Sequence, residues 1–255
     1  MVIVNREVIK DIPVLHVVKQ DSMQETLPFI LFVHGFTSVK ERNLTIAYLL
    51  AEKGFRVVMP EALLHGERSE GYDEFKLGLN FWKIVKNTIH ELEVLKNEYV
   101  RMGLADETRI GISGTSMGGI ITMGSLRRYD WIKSAVCLMG SPAYVEFAEF
   151  QVENVRKVVK EMPMTEEEIQ QEYEGLKEYD PSLSVEEWRP IPLLFWHGDR
   201  DSVVPYHSAY NFYEKLKPLY DESGGEISFL LEEKGVHIVS HYAMLEATKW
   251  FEKHL

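Results

Sequence analysis

One pattern recurs along this chain of 255 residues. A short apolar run is followed by a turn and then by a longer segment with helical spacing. The apolar runs are rich in β-branched residues, and the turns are rich in glycine or proline. Such alternation predicts parallel strands joined by helical crossovers. The predicted strands cover 29–33, 56–59, 109–112, 134–139, 193–196 and 227–231, and the predicted helices cover 41–52, 79–102, 118–128, 206–219 and 239–254.

Several of these runs lack strict alternation of apolar and polar residues, which is typical of central strands covered on both faces. The segment 6–19 predicts one or two leading strands, antiparallel and at an edge of the sheet. Because α/β folds reach this length as one unit, we expect a single α/β domain over residues 1–255.

The region 142–190 interrupts the repeat, because it is rich in glutamate and helical in spacing between two predicted strands. It predicts a helical lid or cap insertion over the carboxyl edge of the sheet. Its apolar residues either line a pocket or only seal the insertion onto the body, and the pattern leaves both open. They are Tyr144, Phe147, Phe150, Val152, Val155, Val158, Val159, Met162, Met164, Ile169, Tyr173 and Leu176.

Charge and hydropathy exclude several classes of partner. The formal net charge of −12 opposes binding to a nucleic-acid backbone, and no apolar run approaches the roughly 20 residues that span a bilayer. The amino-terminal segment lacks the pattern of a signal peptide, and the single cysteine, Cys137, cannot form an internal disulfide. We therefore expect a cytoplasmic location. The oligomeric state is left open, a homo-oligomer included.

The strongest motif is GTSMGG at residues 114–119, directly after a predicted strand and before a predicted helix. It matches Gly-x-Ser-x-Gly, in which a strained strand-to-helix turn exposes the serine hydroxyl. Side chains two residues either side of the serine would collide with neighbouring backbone, and the helix amino terminus favours developing negative charge. Ser116 is therefore the candidate nucleophile. Its alternative role is that of a helix cap alone.

A serine hydroxyl needs a general base, and the base needs a carboxylate that orients it. His237 follows the last predicted strand and is preferred to His241, which falls inside the predicted terminal helix. The loop after the preceding strand offers Asp201 and Asp199. Asp201 is preferred, because an aspartate beside a glycine, as Asp199 is, commonly makes turn hydrogen bonds. The chain order Ser116, Asp201, His237 is the one expected for this architecture.

Acyl transfer also needs two donors aimed at the developing oxyanion. One is expected to be the backbone N–H of Met117, immediately after the nucleophile. The second is expected in HGFT at residues 34–37, most plausibly the backbone N–H of Phe36. The alternative interpretation of His34-Gly35 is a simple strand-to-loop turn.

Together these motifs resemble an α/β-hydrolase of the esterase, dienelactone-hydrolase and prolyl-oligopeptidase-like branch, over residues 29–255. The matching pieces are the motif at 114–119, HGF at 34–36, His-Gly-x-x-Asp-x-x-Val-Pro at 197–205 and His237, and LHGERS at 64–69 resembles a pocket-bordering loop. The resemblance implies an α/β-hydrolase fold with a mostly parallel, eight-stranded sheet flanked by helices. It also implies hydrolysis without a cofactor, through an acyl-enzyme. Dienelactone hydrolases proper carry cysteine where this chain has Ser116, so their specific activity is not implied.

We therefore expect a serine hydrolase that cleaves a small or medium carboxylic ester. A peptidase, amidase, thioesterase or lactonase would use the same triad, and the sequence does not separate these activities. A binding module that has lost catalysis is a further class, but such proteins typically lack part of the triad. The remaining chemical alternative is a metal site built from carboxylate and imidazole ligands. Its members would be His197, Asp199, Asp201, His237 and His241.

Overall fold

The frame of the molecule is an eight-stranded sheet, seen in a computed structural model that describes residues 1–255. The strand order is β1-β2-β4-β3-β5-β6-β7-β8. The strands are β1 (Val2–Ile9), β2 (Ile12–Lys19), β3 (Leu27–Val33), β4 (Arg56–Pro60), β5 (Ala105–Thr115), β6 (Ser134–Leu138), β7 (Leu193–Gly198) and β8 (Ile227–Glu232). The first three strands in this order pair antiparallel, and all other neighbours are parallel. The predicted parallel core and antiparallel leading strands are both confirmed.

Eight helices connect or flank these strands. They are α1 (Leu44–Glu52), α2 (Glu74–Leu79), α3 (Phe81–Arg101), α4 (Met117–Arg128), α5 (Tyr144–Val158), α6 (Glu166–Leu176), α7 (His207–Ser223) and α8 (His241–His254). The helix predicted over 79–102 begins later, because a short helix ends at Leu79 and the chain turns at Asn80. The last helix begins at His241 because the Ser240 side chain accepts a hydrogen bond from the Ala243 N–H and caps it. None of the helices combines the length and apolarity that crossing a bilayer requires.

Both faces of the central strands are buried in separate apolar cores. Along β3, Phe29 and Leu31 belong to one core, whereas Ile30 and Phe32 belong to the other. The first core receives side chains from α3, α4 and α7, and the second from α1 and α8. This double burial explains why the central strands are continuous apolar runs in the sequence.

Parallel pairing brings the ends of four strands to one edge of the sheet. Gly114 of β5 pairs with Val33 of β3 and Cys137 of β6, and Cys137 in turn pairs with Phe195 of β7. Phe195 pairs with Phe229 of β8. The residues that follow β3, β5, β7 and β8 therefore meet at this edge. Because the candidate catalytic residues selected from the sequence follow these strands, we call it the catalytic edge.

The chain between β6 and β7 contains α5, α6 and three short 3₁₀ turns, at Lys177–Tyr179, Pro181–Leu183 and Val185–Glu187. We call residues 144–176 the α5–α6 segment. Two buried polar contacts fix its base. The Tyr144 hydroxyl donates to the Ile120 carbonyl at 2.6 Å, and the Asp180 carboxylate accepts from the Val145 N–H at 2.9 Å. The segment is therefore anchored at the start of α5 on helix α4 and on the turns that follow α6.

Candidate active site

Ser116 stands alone between a strand and a helix. Strand β5 ends at Thr115 and α4 begins at Met117, and Ser116 has φ 57° and ψ −112°. This left-handed backbone is costly for a residue with a side chain and is typical of functional positions. The turn lifts the hydroxyl above the end of the sheet and places it at the amino terminus of α4, as the motif predicted.

Close backbone contacts explain the glycines around Ser116. A Cβ on Gly118 would lie 2.0 Å from the Val33 carbonyl oxygen, and one on Gly114 would lie 2.5 Å from the Gly118 carbonyl. A Cβ on Gly119 would lie 2.9 Å from the Leu138 oxygen. No side chain fits at these three positions without moving backbone. The predicted steric reason for the glycines is therefore confirmed.

The structure brings together the three residues that the sequence selected as nucleophile, base and acid. His237 Nε2 lies 2.8 Å from Ser116 Oγ, and His237 Nδ1 lies 2.7 Å from Asp201 Oδ2. Because a carboxylate only accepts, Nδ1 carries the proton and Nε2 accepts from the serine hydroxyl. The result is an unbroken path of hydrogen bonds from a buried carboxylate to the partly exposed hydroxyl of Ser116.

Asp201 is held by four groups. Its Oδ1 accepts from the backbone N–H groups of Val203 and Val204, each at 2.9 Å. Its Oδ2 faces His237 and also lies 3.5 Å from Nε2 of the buried His197. Burial would raise the pKa of this carboxyl, but the hydrogen bonds of His197, His237 and Val204 hold it well below its usual range. Asp201 is therefore ionised and fixed in direction.

The loops that carry Asp201 and His237 are joined through their backbones. The Arg200 N–H donates to the Gly235 carbonyl at 2.8 Å. A Cβ on Gly198 would lie 2.4 Å from the Gly235 carbonyl carbon, so the two loops touch backbone to backbone. This contact fixes His237 relative to Asp201, although the two residues lie on separate strand-end loops.

The competing residues lie outside this path. His241 is exposed at the first turn of α8 and makes no side-chain hydrogen bond. Asp199 is half-buried, and its Oδ1 has no hydrogen-bond partner. The expectation that Asp199 makes the turn hydrogen bonds is wrong, because Asp201 accepts them while it also faces His237. The residues proposed for a metal site do not form a group that could hold a metal ion.

The backbone N–H groups of Met117 and Phe36 are the candidate oxyanion donors. Met117 opens α4, so its N–H has no acceptor within the helix. The Phe36 N–H makes no hydrogen bond to the protein. The loop that carries it runs close to the nucleophile, since a Cβ on Gly35 would lie 3.5 Å from the Ser116 Cβ. Both N–H groups therefore remain candidates for binding an oxygen near Ser116.

The loop of Phe36 is hydrogen-bonded to His65. The sequence predicted only that residues 64–69, which include His65, form a loop at the border of the pocket. The Thr37 N–H donates to His65 Nε2 at 3.1 Å, and His65 Nδ1 lies 2.9 Å from the Leu63 carbonyl. Burial lowers the pKa of His65, so the ring stays neutral and Nε2 remains an acceptor. Thr37 itself has φ 56°, and this hydrogen bond supports that strained backbone.

Behind this loop lies a buried ionic cluster that sequence analysis missed. Lys40 and Glu61 are each 1% exposed, and Lys40 Nζ donates to Glu61 Oε2 at 2.7 Å. Glu61 Oε1 lies 3.2 Å from His34 Nε2. Burial would raise the pKa of Glu61, but the hydrogen bonds of His34 and Lys40 lower it to about 2. His34-Gly35 is therefore more than a simple turn. In the sequence, only the charged side chains of Lys40 and Glu61 indicated that these two residues could pair.

A cavity of about 520 Å³ opens beside Ser116 between the catalytic edge and the α5–α6 segment. Most of its lining residues are hydrophobic, and α3, α5 and α6 all contribute. Of the apolar residues left open by the sequence, eight line it: Phe147, Phe150, Val152, Val155, Met162, Met164, Ile169 and Tyr173. Tyr144 and Leu176 are instead buried in the first core. The segment thus forms one wall of a largely apolar cavity beside Ser116.

The chain is similar to proteins of known family. The model of the prolyl oligopeptidase family matches residues 42–255. The chain is 47% identical over 255 residues to "Putative esterase YitV" of Bacillus subtilis (strain 168) and 28% identical over 257 residues to "Esterase YjfP" of Escherichia coli (strain K12), with 100% of each chain covered. The crystal structure of TT1662 from Thermus thermophilus has a TM-score of 0.71 at 20% identity, covering 99% of this chain and 98% of that one. At that identity, the likeness concerns the fold alone.

Proposed function

Because the chain belongs to the prolyl oligopeptidase family of α/β-hydrolases, we propose that it is a serine esterase that cleaves a small or medium carboxylic ester. The observation that carries the proposal is the hydrogen-bonded path from Asp201 through His237 to Ser116, with spacings of 2.7 Å and 2.8 Å. The similarity to two proteins named as esterases, each over its full length, supports the choice of an ester.

In the proposed mechanism, Ser116 Oγ attacks the ester carbonyl carbon while His237 Nε2 takes the hydroxyl proton. Asp201 stabilises the imidazolium that forms and keeps Nδ1 protonated. His237 then delivers the proton to the leaving alcohol, and an acyl-enzyme remains on Ser116. Water repeats the cycle, with His237 as the base again, and releases the acid.

The negative charge that develops on the carbonyl oxygen would be bound by the N–H groups of Phe36 and Met117. Both donors belong to rigid backbone, and Met117 adds the dipole at the amino terminus of α4. In this scheme His65 acts through the Phe36 loop and is a positioning residue. The mechanism needs no cofactor. Its only substrates are a small-molecule ester and water.

A second candidate activity is cleavage of a peptide or amide bond, which the description of the matching family favours. An amide uses the same nucleophile, base and oxyanion donors as an ester. The two activities differ in the leaving group, which is an alcohol in an ester and an amine in an amide. The amine is the poorer leaving group and depends more strongly on the proton from His237. Acyl thioesters complete the set of substrates that the same residues would attack.

Two further proposals concern the context of the site. We propose that residues 142–190 act as a lid insertion within one domain spanning 1–255, since α5 and α6 form a wall of the cavity beside Ser116. A cytoplasmic site of action also stays a proposal, supported by the free thiol of the buried Cys137.

The experiment compares the full chain with its Ser116→Ala variant on p-nitrophenyl acetate, an aminoacyl p-nitroanilide and an acyl thioester. We expect the ester to be the best substrate. We expect kcat to fall by about 10⁴- to 10⁶-fold in the variant, with an unchanged circular dichroism spectrum. Unchanged turnover in Ser116→Ala would refute the nucleophile. Loss of turnover in EDTA, recovered by zinc, would refute the triad account, and preference for the anilide would favour the amidase.

A further inference from the structure

Several aromatic rings line the cavity beside Ser116. Phe81 and Trp82 of α3 face Phe147 of α5, with ring centroids 6.1 Å and 6.2 Å from Phe147. Phe36 joins them, 5.5 Å from Phe81, and lies in the loop at residues 34–37 that we call the oxyanion loop. Tyr173 of α6 lines the cavity as well. These rings come from four parts of the chain, so the cavity is a property of the folded molecule and is suited to apolar or aromatic groups.

The position of the cavity relative to the triad shows which part of an ester it would bind. Ser116, Phe36 and Met117 line the cavity, as do Ser202, Val203 and Val204 of the loop that follows Asp201, whereas His237 does not. In the proposed mechanism the leaving alcohol receives its proton from His237, so it must lie on the His237 side of the carbonyl carbon. The acyl group points to the other side, into the cavity. His237 is part-exposed, so the alcohol side faces solvent.

The charges along the cavity do not favour a charged acyl chain. Glu74 and Lys83 are lining residues, but both are exposed. Glu172 is paired with Lys86 of α3 at 2.8 Å. No buried, unpaired charge therefore faces the cavity to match a carboxylate or an ammonium group, and burying such a group without a partner would be unfavourable.

We propose that this cavity is the acyl subsite, and that the substrate is an ester of an uncharged, apolar acid of medium length or with an aromatic ring. This inference rests on the proposed esterase function. A methylene group is similar in size to a water molecule, which occupies about 30 Å³ of liquid, so the volume of about 520 Å³ sets an upper limit of roughly seventeen carbons. A single extended chain does not fill so wide a space, so we expect the best acyl length at roughly ten carbons. The alcohol part stays outside and contributes little to selection.

The first test measures kcat/KM for p-nitrophenyl esters with acyl chains of two to twelve carbons, all below their micelle concentrations. Each methylene group moved from water into the cavity is expected to raise kcat/KM by about fourfold. The rise should stop at roughly ten carbons, below the limit that the cavity volume sets. A flat profile, or a maximum at acetate, would overturn the inference.

A second series keeps the acetyl group and lengthens the alcohol from ethanol to hexanol. We expect kcat/KM to change by less than about threefold over this series, because each methylene contributes only where it is buried. A steep rise here, together with a flat acyl series, would assign the cavity to the alcohol and overturn the orientation.

Two valines on one helix provide matched variants. Val155 and Val158 both lie on α5, but Val155 lines the cavity whereas Val158 is 79% exposed and does not. In Val155→Trp the indole fills part of the cavity, so the ratio of kcat/KM for octanoate to that for acetate should fall at least about tenfold. In Val158→Trp the ratio should not change. Equal effects in the two variants would overturn the inference.

Val155→Ala is the alternative test of the subsite if the tryptophan variant does not fold. It enlarges the cavity and should shift the best chain length upward by one or two carbons, and an unchanged optimum would count against the subsite. The two levels of the proposal remain separable. If acetate is hydrolysed through Ser116 but chain length has no effect, only the acyl subsite fails. If no ester is hydrolysed, the esterase function itself fails.

Discussion

The catalytic edge and the α5–α6 segment face each other across one cavity, but different forces hold them. At the edge, hydrogen bonds to backbone and glycine contacts as close as those of Gly118 leave one arrangement for Ser116, Asp201 and His237. In the segment, α5 fully buries only Tyr144 and Ala148, and α6 only Ile169 and Leu176.

The ion pairs show the same contrast. The pair of Lys40 and Glu61 behind the oxyanion loop is buried, whereas Arg156 and Glu166 of the α5–α6 segment form a pair that is exposed on both sides. Exposed pairs contribute little to stability, and breaking a buried pair costs far more. The candidate catalytic residues therefore lie where many interactions agree on one geometry. The α5–α6 segment has fewer buried contacts, so under the proposed function we expect substitutions there to change the choice of substrate.

The largest effect is expected from the acid at the edge. Asp201→Asn removes the charge that holds the proton on His237 Nδ1, so kcat should fall by about 10⁴-fold, or about 5 kcal/mol of barrier. Asp199→Asn is the matched control two residues away and should leave kcat within about twofold, because its carboxylate does not contact His237. Steady-state kinetics on p-nitrophenyl acetate measure both, and the reverse ranking would move the acid to Asp199.

The next effect concerns stability at low pH. The pKa of Glu61 is lowered from 4.5 to about 2, so its carboxylate stabilises the folded state by about 3 kcal/mol above pH 4.5. About 2 kcal/mol of this should be lost by pH 3, and the rest as the pH falls through 2. Urea unfolding at pH 7 and pH 3 measures it, with Glu61→Gln as the comparison.

The difference in unfolding free energy between the wild type and Glu61→Gln should shrink by about 2 kcal/mol between these two pH values. A constant difference would mean that the Glu61 carboxyl titrates alike in the folded and unfolded chain. That outcome would remove the buried ion pair as a reason for the rigidity of the oxyanion loop.

A smaller effect is expected from the support of that loop. His65→Phe keeps a ring of similar size but removes the acceptor for the Thr37 N–H. The Phe36 N–H should then be less well aimed, so kcat falls about 10- to 100-fold while KM stays within about twofold. His65→Asn, which retains an acceptor oxygen, should lose less. A change in KM alone would give His65 a role in substrate binding instead.

The smallest effect is expected in the α5–α6 segment. Thr165 caps α6, since its hydroxyl accepts from the Glu168 N–H at 3.2 Å and the Glu168 carboxylate accepts from the Thr165 N–H. Thr165→Ala should lower the free energy of unfolding by about 1 kcal/mol and leave acetate turnover unchanged. Thr45→Ala, an exposed threonine of α1 without a side-chain hydrogen bond, is the control. Equal destabilisation by both would show that the cap contributes nothing.

Some parts of the molecule were predictable because the signal is local. Strand β3 shows its burial in the unbroken run from Phe29 to Val33, and the turn at Ser116 shows its geometry in the glycines on both sides. The break at Asn80 and the turn hydrogen bonds of Asp201 were not predicted. The local sequence allowed either one helix or two around Asn80, and either Asp199 or Asp201 as the acceptor in the turn. Contacts with the rest of the fold determine which of these forms.

The sequence by itself determined the alternation of strands and helices along the chain, the strained turn at Ser116 and the candidates for acid and base. These features follow from residue types whose sterics and burial act over a few neighbouring positions. Only the tertiary structure decided that Asp201 and not Asp199 reaches His237, that Lys40 meets Glu61, and that α5 and α6 wall a cavity beside Ser116. The physical reason is that these contacts join residues from separate strand-end loops and helices, whose distances are set by the packing of the whole sheet.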